Sequence, residues 1–346
     1  MIWDNTSIIY ALIGGVLIAL ATSGNLWIKG RITGFSGAFF SLITINYEEG
    51  FIWKICFVSG LITMTFPFWY FEIKWAPYDW SAKQNLSRAI IGGLLVGFGT
   101  KTGNGCTSGH AVCGIPRLSL RSFVATCIFM ITGIAVATLI PFLNITTFPD
   151  IDIHFLDTNY KFVASIFFII LFLFFLYEVI VSFIKGSDSN VKTDPIISFL
   201  LGLIFGLGLL ISGMCDQNRI LAFLNVDLKT WNPSLLFVMM AALGINLITF
   251  QYILRNVNKP ILNDKFAVPK VSVIDFKLIL GASAFGFGWG IFGFCPGPAM
   301  INAFFSYKVL FFLLSMSIGM AISYWLFKPS SSSSSHKEVN TKEKTK

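Results

Sequence analysis

Gly103-Asn104-Gly105-Cys106-Thr107-Ser108-Gly109-His110 separates two strongly apolar stretches. It puts glycines, small hydroxyl residues and a thiol where a lipid-embedded chain ordinarily carries leucine. A second stretch, Gly293-Phe294-Cys295-Pro296-Gly297-Pro298, places a cysteine 189 positions after Cys106 in similar surroundings. Glycine breaks a helix and lets other groups approach the backbone closely. Two helix-breaking, thiol-bearing segments inside an apolar chain predict a path for a small solute.

The surrounding composition sets the class. Of 346 residues, 55% are hydrophobic and 12% charged, with a mean hydropathy of +0.75. Soluble domains carry about 25% charged residues, so the chain is expected to be an all-α integral membrane protein. The net charge of +8 then reads as a topology signal rather than as a nucleic-acid footprint, and no nucleic-acid partner is expected. The six cysteines form no CxxC pair and only three histidines are present, so no structural zinc site is expected. Gly97-Phe98-Gly99 is too short to be a nucleotide fingerprint. No cofactor and no catalytic set are expected.

A spanning helix needs about 20 apolar residues. Nine stretches meet or approach that length, at 7–28, 51–72, 88–104, 119–143, 161–184, 195–214, 234–254, 276–293 and 308–327. The third and eighth are short and glycine-rich. Segments 32–45 and 218–226 are too short to cross and read as re-entrant helices, which membrane depth allows only where protein or a cavity surrounds them. With the N-terminus outside, sixteen Lys and Arg fall on the cytoplasmic side against seven outside, in keeping with the positive-inside bias. This predicts a cytoplasmic C-terminus, in the plasma membrane. Residues 1–6 hold no Lys or Arg, which argues against a cleaved signal peptide. Glu178 in the fifth span reads either as a proton-coupling carboxylate or as half of a buried pair.

Ser23-Gly24 and Ser212-Gly213 share the 189-residue offset of the two cysteines, as do Gly97/Gly286 and Gly99/Gly288. The expected architecture is therefore an inverted-topology repeat with its solute site near the bilayer midplane. Residues 1–144 form a first half of four spans, 145–194 a linker with the fifth span, 195–328 a second half of four spans, and 329–346 a disordered cytoplasmic tail.

At the first site Cys106 offers a weak S–H donor and a polarizable sulfur, Thr107 and Ser108 offer hydroxyls, and Asn104, Gly105 and Gly109 open the backbone. Lys101 is either a charge on the path or a side chain reaching for the surface. His110 either faces the path or caps a helix end. At the second site Pro296 and Pro298 pre-shape a turn and start a new half-helix, with Gly297 between them. A thiol in such apolar surroundings stays as S–H. Neutral thiols hold a soft anion weakly enough to release it, which permeation requires. Cys215, after the Ser212-Gly213-Met214 helix end, reads equally as site or as packing. Cys113, Cys56 and Cys127 read as structural.

These motifs resemble the YeeE/YedE family of membrane proteins. The 103–110 stretch, continued by Cys113-Gly114 and Arg117-Leu118-Ser119, is similar to that family's signature. Ser212-Gly213-Met214, Trp231-Asn232-Pro233-Ser234-Leu235 and Phe294-Cys295-Pro296-Gly297-Pro298-Ala299 resemble a companion module often encoded separately. The likeness extends to about residue 327. It implies an hourglass of inverted repeats that imports thiosulfate or a related sulfur anion, with Cys106 and Cys295 touching the anion's terminal sulfur. The expected partners are that small anion, the lipid bilayer and cytoplasmic sulfur-carrier proteins. The family's third cysteine, near the end of the first span, is absent here; Ser23, Asn25 and Ser36 are the polar residues nearest that place, and Cys215 is a candidate substitute. The alternative is an integral-membrane sulfur-transfer or thiol redox enzyme using Cys106, with Lys101 or His110 activating the thiol.

Overall fold

The computed structural model describes residues 5–44, 50–71, 85–142, 189–227, 229–269 and 271–327, with scattered helical positions between 165 and 181. The described residues are almost wholly helical, with a single isolated bridge between Arg31 and Ala267. The first half contains α1 (Asn5–Lys29), α2 (Phe35–Thr44), α3 (Phe51–Tyr70), α4 (Leu86–Thr102) and α5 (Leu120–Phe142). The second contains α6 (Ser189–Ile211), α7 (Gln217–Leu224), α8 (Ser234–Asn256), α9 (Phe276–Phe292), α10 (Pro296–Asn302) and α11 (Tyr307–Phe327). Most of the expected fifth span, Glu178, the 144–160 loop and the tail lie outside the described residues.

Seven described helices are long and apolar enough to cross a membrane, where the sequence reading counts nine spans. Two stretches make the difference. The 161–184 stretch is described only at scattered positions. Helix α4 has 17 residues and so reaches about 25 Å at 1.5 Å per residue, short of a hydrocarbon core of about 30 Å; α9 is as short and crosses only together with α10, as Phe276–Asn302. Helix α4 stops early because the glycine break begins at Gly103.

The long helices pack in two groups of four. In one, α1 meets α6 and α8, and α3 meets α6; in the other, α4 meets α9 and α11, and α5 meets α9. Each group thus draws two helices from each half. Exchanging α1 with α6, α3 with α8, α4 with α9 and α5 with α11 turns this set of contacts into itself. The short elements fill the seam between the groups: α2 touches α3, α4 and α11, α7 touches α5, α8 and α9, and α10 touches α3 and α11.

Small residues allow this packing, because without a hydrophobic force between helices in lipid their backbones must come close. A Cβ at Gly60 would lie 2.0 Å from the Phe199 carbonyl oxygen, and one at Gly202 would lie 2.0 Å from that of Phe57, so α3 and α6 touch backbone to backbone. In the other group Gly97 meets the Met316 carbonyl and Gly286 meets that of Phe129.

At the end of α1, Lys29 is fully buried, its ammonium 3.0 Å from Asp194 Oδ1, bonded to Ser198 Oγ and 4.8 Å from the centre of the Trp53 ring. Arg31 pairs with the other oxygen of Asp194 at 3.1 Å. The 257–275 segment caps the last carbonyls of α1: Leu262 N–H donates to Ile28 O, Asn263 Nδ2 to Lys29 O and Ala267 N–H to Gly30 O. Removing one partner of a buried ion pair strands the other charge, at a cost of about 3–5 kcal/mol. Asp194→Ala is therefore expected to lower the unfolding temperature sharply in detergent, and Lys29→Met in the same chain to restore most of it. Additive losses in the double variant would exclude the pairing as the cause.

Candidate functional site

The first break is built from the end of α4. Gly103 N–H closes the last helical turn on Gly99 O, Asn104 takes the left-handed conformation at φ 60°, and Gly105 N–H returns to Thr100 O at 2.9 Å. The chain then re-enters a short coil with one wide π-type turn, Ser108–Val112, in which Cys113 N–H donates to Ser108 O. This turn holds Cys106 inward, 1% exposed, with its sulfur 3.3 Å from Ser108 Oγ. Ser108 Oγ also accepts from Phe35 N–H, which ties the start of α2 to the break.

The second break follows α9. Gly293 adopts φ 84° and closes on Trp289 O, and Cys295 stands directly before α10, which starts at Pro296. The half-helix expected at Pro296 and Pro298 thus begins at the first of the two prolines. Ile211 ends α6 in the same manner, with Gly213 at φ 77° and Asp216 capping α7 through Asn218 and Arg219 N–H.

The three breaks converge. Ser108 Oγ, 3.3 Å from the Cys106 sulfur, accepts from Phe35 N–H, the Phe35 ring lies 3.6 Å from the Cβ position of Gly297, and Asn302 Nδ2 of α10 donates to Cys215 O at 2.7 Å. Thr107 Oγ1 is buried and closes no hydrogen bond of good geometry. Cys215 and Cys295 are 1% and 7% exposed, so neither faces lipid. Phe35 and Leu209 form an apolar wall at Gly297, and Phe35 packs on Phe205 with ring centres 4.8 Å apart. Among the described residues, no group of three His, Cys, Asp or Glu side chains is arranged to hold a metal ion.

Other residues singled out from the sequence take different places. Lys101 puts its ammonium 3.5 Å from the centre of the Phe40 ring and 5.4 Å from that of Tyr324. Ser23 bonds Asn246 Oδ1 and Thr249 Oγ1 between α1 and α8. Asn104 is exposed, and Gly109 borders open space. His110 is buried, with Nδ1 3.2 Å from Ser122 Oγ and Nε2 3.3 Å from Gly103 O. Its ring lies over Gly105, where an added Cβ would come within 2.5 Å of Nε2. Gly105→Ala is expected to dislodge this staple and destabilise the protein by about 1–3 kcal/mol, the usual cost of overpacking. A melting curve matching that of the unsubstituted protein would refute the staple.

Sequence reasoning missed four amides. Asn246 Nδ2 donates to Val112 O, Gln251 Nε2 to Pro116 O, Gln217 Nε2 to Phe292 O and Asn302 Nδ2 to Cys215 O. All four hold carbonyls that the breaks release from helical bonding. For Asn246, Gln251 and Asn302 the signal was available, an amide side chain set in an apolar run; Gln217 lies in the polar run Asp216-Gln217-Asn218-Arg219 and carried none.

The family described as "Sulphur transport" matches residues 3–136, and a family of unknown function matches residues 194–333. Two proteins named probable transporter from Xylella fastidiosa strain Temecula1 are each 40% identical. One aligns over 127 residues, 36% of this chain and 85% of the relative; the other over 130 residues, 37% and 92%. The protein named thiosulfate transporter TsuA, from Spirochaeta thermophila, is 30% identical over 135 residues, 38% of this chain and 39% of its own length. No solved structure matches the chain. With its apolar helices, its two thiol-bearing breaks and these relatives, the chain belongs to the YeeE/YedE family of sulphur-transport membrane proteins, as a transporter and not an enzyme.

Proposed function

We propose that this protein imports thiosulfate, or a closely related sulfur anion, along the seam between its two helix groups, with Cys106 and Cys295 as successive contacts and Cys215 as the third thiol in place of the one missing from the first half. The two groups are read as the products of an inverted repeat whose halves each contribute a break. The observation that carries this reading is the convergence of Cys106, Thr107, Cys215 and Cys295, separated by up to 189 positions in sequence, at one buried place.

The chemistry suits a soft dianion. Thiols and hydroxyls donate to it without a fixed counter-charge, so it is recognised and then released, as permeation demands. The terminal sulfur of thiosulfate is polarizable in the same way as the cysteine sulfurs. Ser108 lies between Cys106 and the start of α2, and Gly109 leaves room beside it. The excess of Lys and Arg on one side of the spans supports a plasma-membrane orientation with the N-terminus outside. Inward movement of a dianion against about 100 mV, inside negative, costs about 4.6 kcal/mol, so net uptake needs a steep gradient or a co-transported cation.

The test is uptake of radiolabelled thiosulfate into vesicles reconstituted with the full chain, with sulfate, sulfite and selenite as competitors. Sulfate presents only hard oxygens and is expected to compete weakly. Equal competition by sulfate and thiosulfate would remove the sulfur-recognition part of the reading. Absence of any thiosulfate flux would remove the substrate.

A further inference from the structure

Each helix break in the seam releases backbone carbonyls, and lipid-embedded protein must satisfy them internally. The structure does this with side chains. Gln217 Nε2 lies 2.6 Å from Phe292 O, Asn302 Nδ2 lies 2.7 Å from Cys215 O, and Asn246 Nδ2 lies 2.9 Å from Val112 O. Gly103 O is held twice, by His110 Nε2 and by Arg121. The carbonyls of Cys106 and Cys295 accept backbone N–H groups from His110 and Ala299. Two buried oxygens beside the breaks, Thr107 Oγ1 and Asn302 Oδ1, close no hydrogen bond of good geometry.

This pattern has an electrostatic consequence. A ring of free carbonyl dipoles attracts cations, as in potassium filters. Where released carbonyls such as those of Phe292 and Val112 point at amide donors, the passage shows a permeating ion its S–H and O–H groups instead. We propose that Gln217 and Asn246 are selectivity residues: by occupying the Phe292 and Val112 carbonyls, they keep acceptors out of the passage and make it select anions. This rests on the reading that the anion moves past Cys106 and Cys295. The two amides act through the backbone and not by touching the anion, so they are positioning residues.

Gln217 gives the sharpest test, because its partner carbonyl lies three residues before Cys295 and Gly293 packs against its side chain, with the Cβ position 3.3 Å from Gln217 Cγ. Gln217→Met keeps the length and apolar stem of the side chain and removes the donor. In vesicles containing the full chain, this variant is expected to raise the KM for labelled thiosulfate about tenfold, to change the maximal rate less than threefold, and to open a flux of labelled rubidium absent from the unsubstituted protein. Gln217→His, which keeps an N–H able to reach the carbonyl, is expected to restore the KM. Gln217→Glu supplies a second measurement should the methionine variant fail to fold. As a neutral acid it donates to Phe292 O, and once ionised it cannot, so its KM is expected to rise with pH more steeply than that of the unsubstituted protein.

An unchanged KM with no rubidium flux in folded Gln217→Met, or a pH profile of Gln217→Glu that follows the unsubstituted protein, would overturn the proposal. A fall in maximal rate alone would assign the amide a structural role and overturn it equally. Failure of the unsubstituted protein to move thiosulfate would instead strike the thiol route itself, so the two failures are separable.

Discussion

Cys106→Ala is expected to reduce thiosulfate uptake by about tenfold to a hundredfold at unchanged protein level, and Cys295→Ala to do the same. A hydrogen bond to a charged group contributes about 1.5–3 kcal/mol, and alanine leaves nothing in its place. Both thiols are buried, and Ser108 Oγ lies 3.3 Å from the Cys106 sulfur. Cys106→Ser separates two contributions. Serine keeps a donor of similar reach but loses the polarizable sulfur. Recovery with serine would mean that hydrogen bonding suffices, and persistent loss would assign the effect to sulfur–sulfur contact. Cys56→Ala, in α3, and Cys127→Ala, in α5, serve as controls that retain uptake. Full uptake by folded Cys106→Ala and Cys295→Ala proteins would end the thiol route.

The second large effect concerns the fold. Gly60→Ala together with Gly202→Ala is expected to prevent recovery of monodisperse protein. Each new methyl carbon would sit 2.0 Å from a backbone carbonyl oxygen of the facing helix. Neither carbonyl belongs to a flexible side chain, so α3 and α6 must move apart. Overpacking costs about 1–3 kcal/mol per site when the surroundings can adjust, and a reciprocal backbone contact adjusts least. Gly244→Ala is the contrast: nothing lies within 4 Å of a Cβ there, and alanine favours helix by about 0.8–1 kcal/mol. It is expected to leave size-exclusion behaviour and melting unchanged or slightly improved. A well-behaved double alanine variant would mean that α3 and α6 are not in the contact described.

Several features could be read directly from residues. The two glycine-rich cysteine segments are helix breaks because Gly103, Gly105 and Gly293 leave the helix and the prolines beside Cys295 start a new one. The short apolar pieces near 32–45 and 218–226 are α2 and α7, since about ten residues of helix span only about 15 Å. The early end of α4 is equally local, set at Gly103. Less legible was the fate of charged and polar side chains. Lys101 reads either as a charge on the path or as a side chain reaching for the surface, and the fold sets its ammonium against the faces of Phe40 and Tyr324. His110 reads as path or cap, and its place against Gly105 makes it a staple between Gly103 and Ser122. Ser23 is spent on Asn246 and Thr249. Each of these outcomes depends on a partner distant in sequence.

Sequence alone determined that the chain lives in a bilayer, that its helices break at thiol-bearing turns, and that the two halves echo one another, because apolar length, glycine and proline act on the residues immediately around them. Tertiary structure decided which amides bond the released carbonyls and where Lys101, His110 and Ser23 come to rest. Those outcomes rest on backbones meeting at Gly60, Gly97, Gly202 and Gly286, and a contact between chain segments more than a hundred residues apart exists only once the helices have packed.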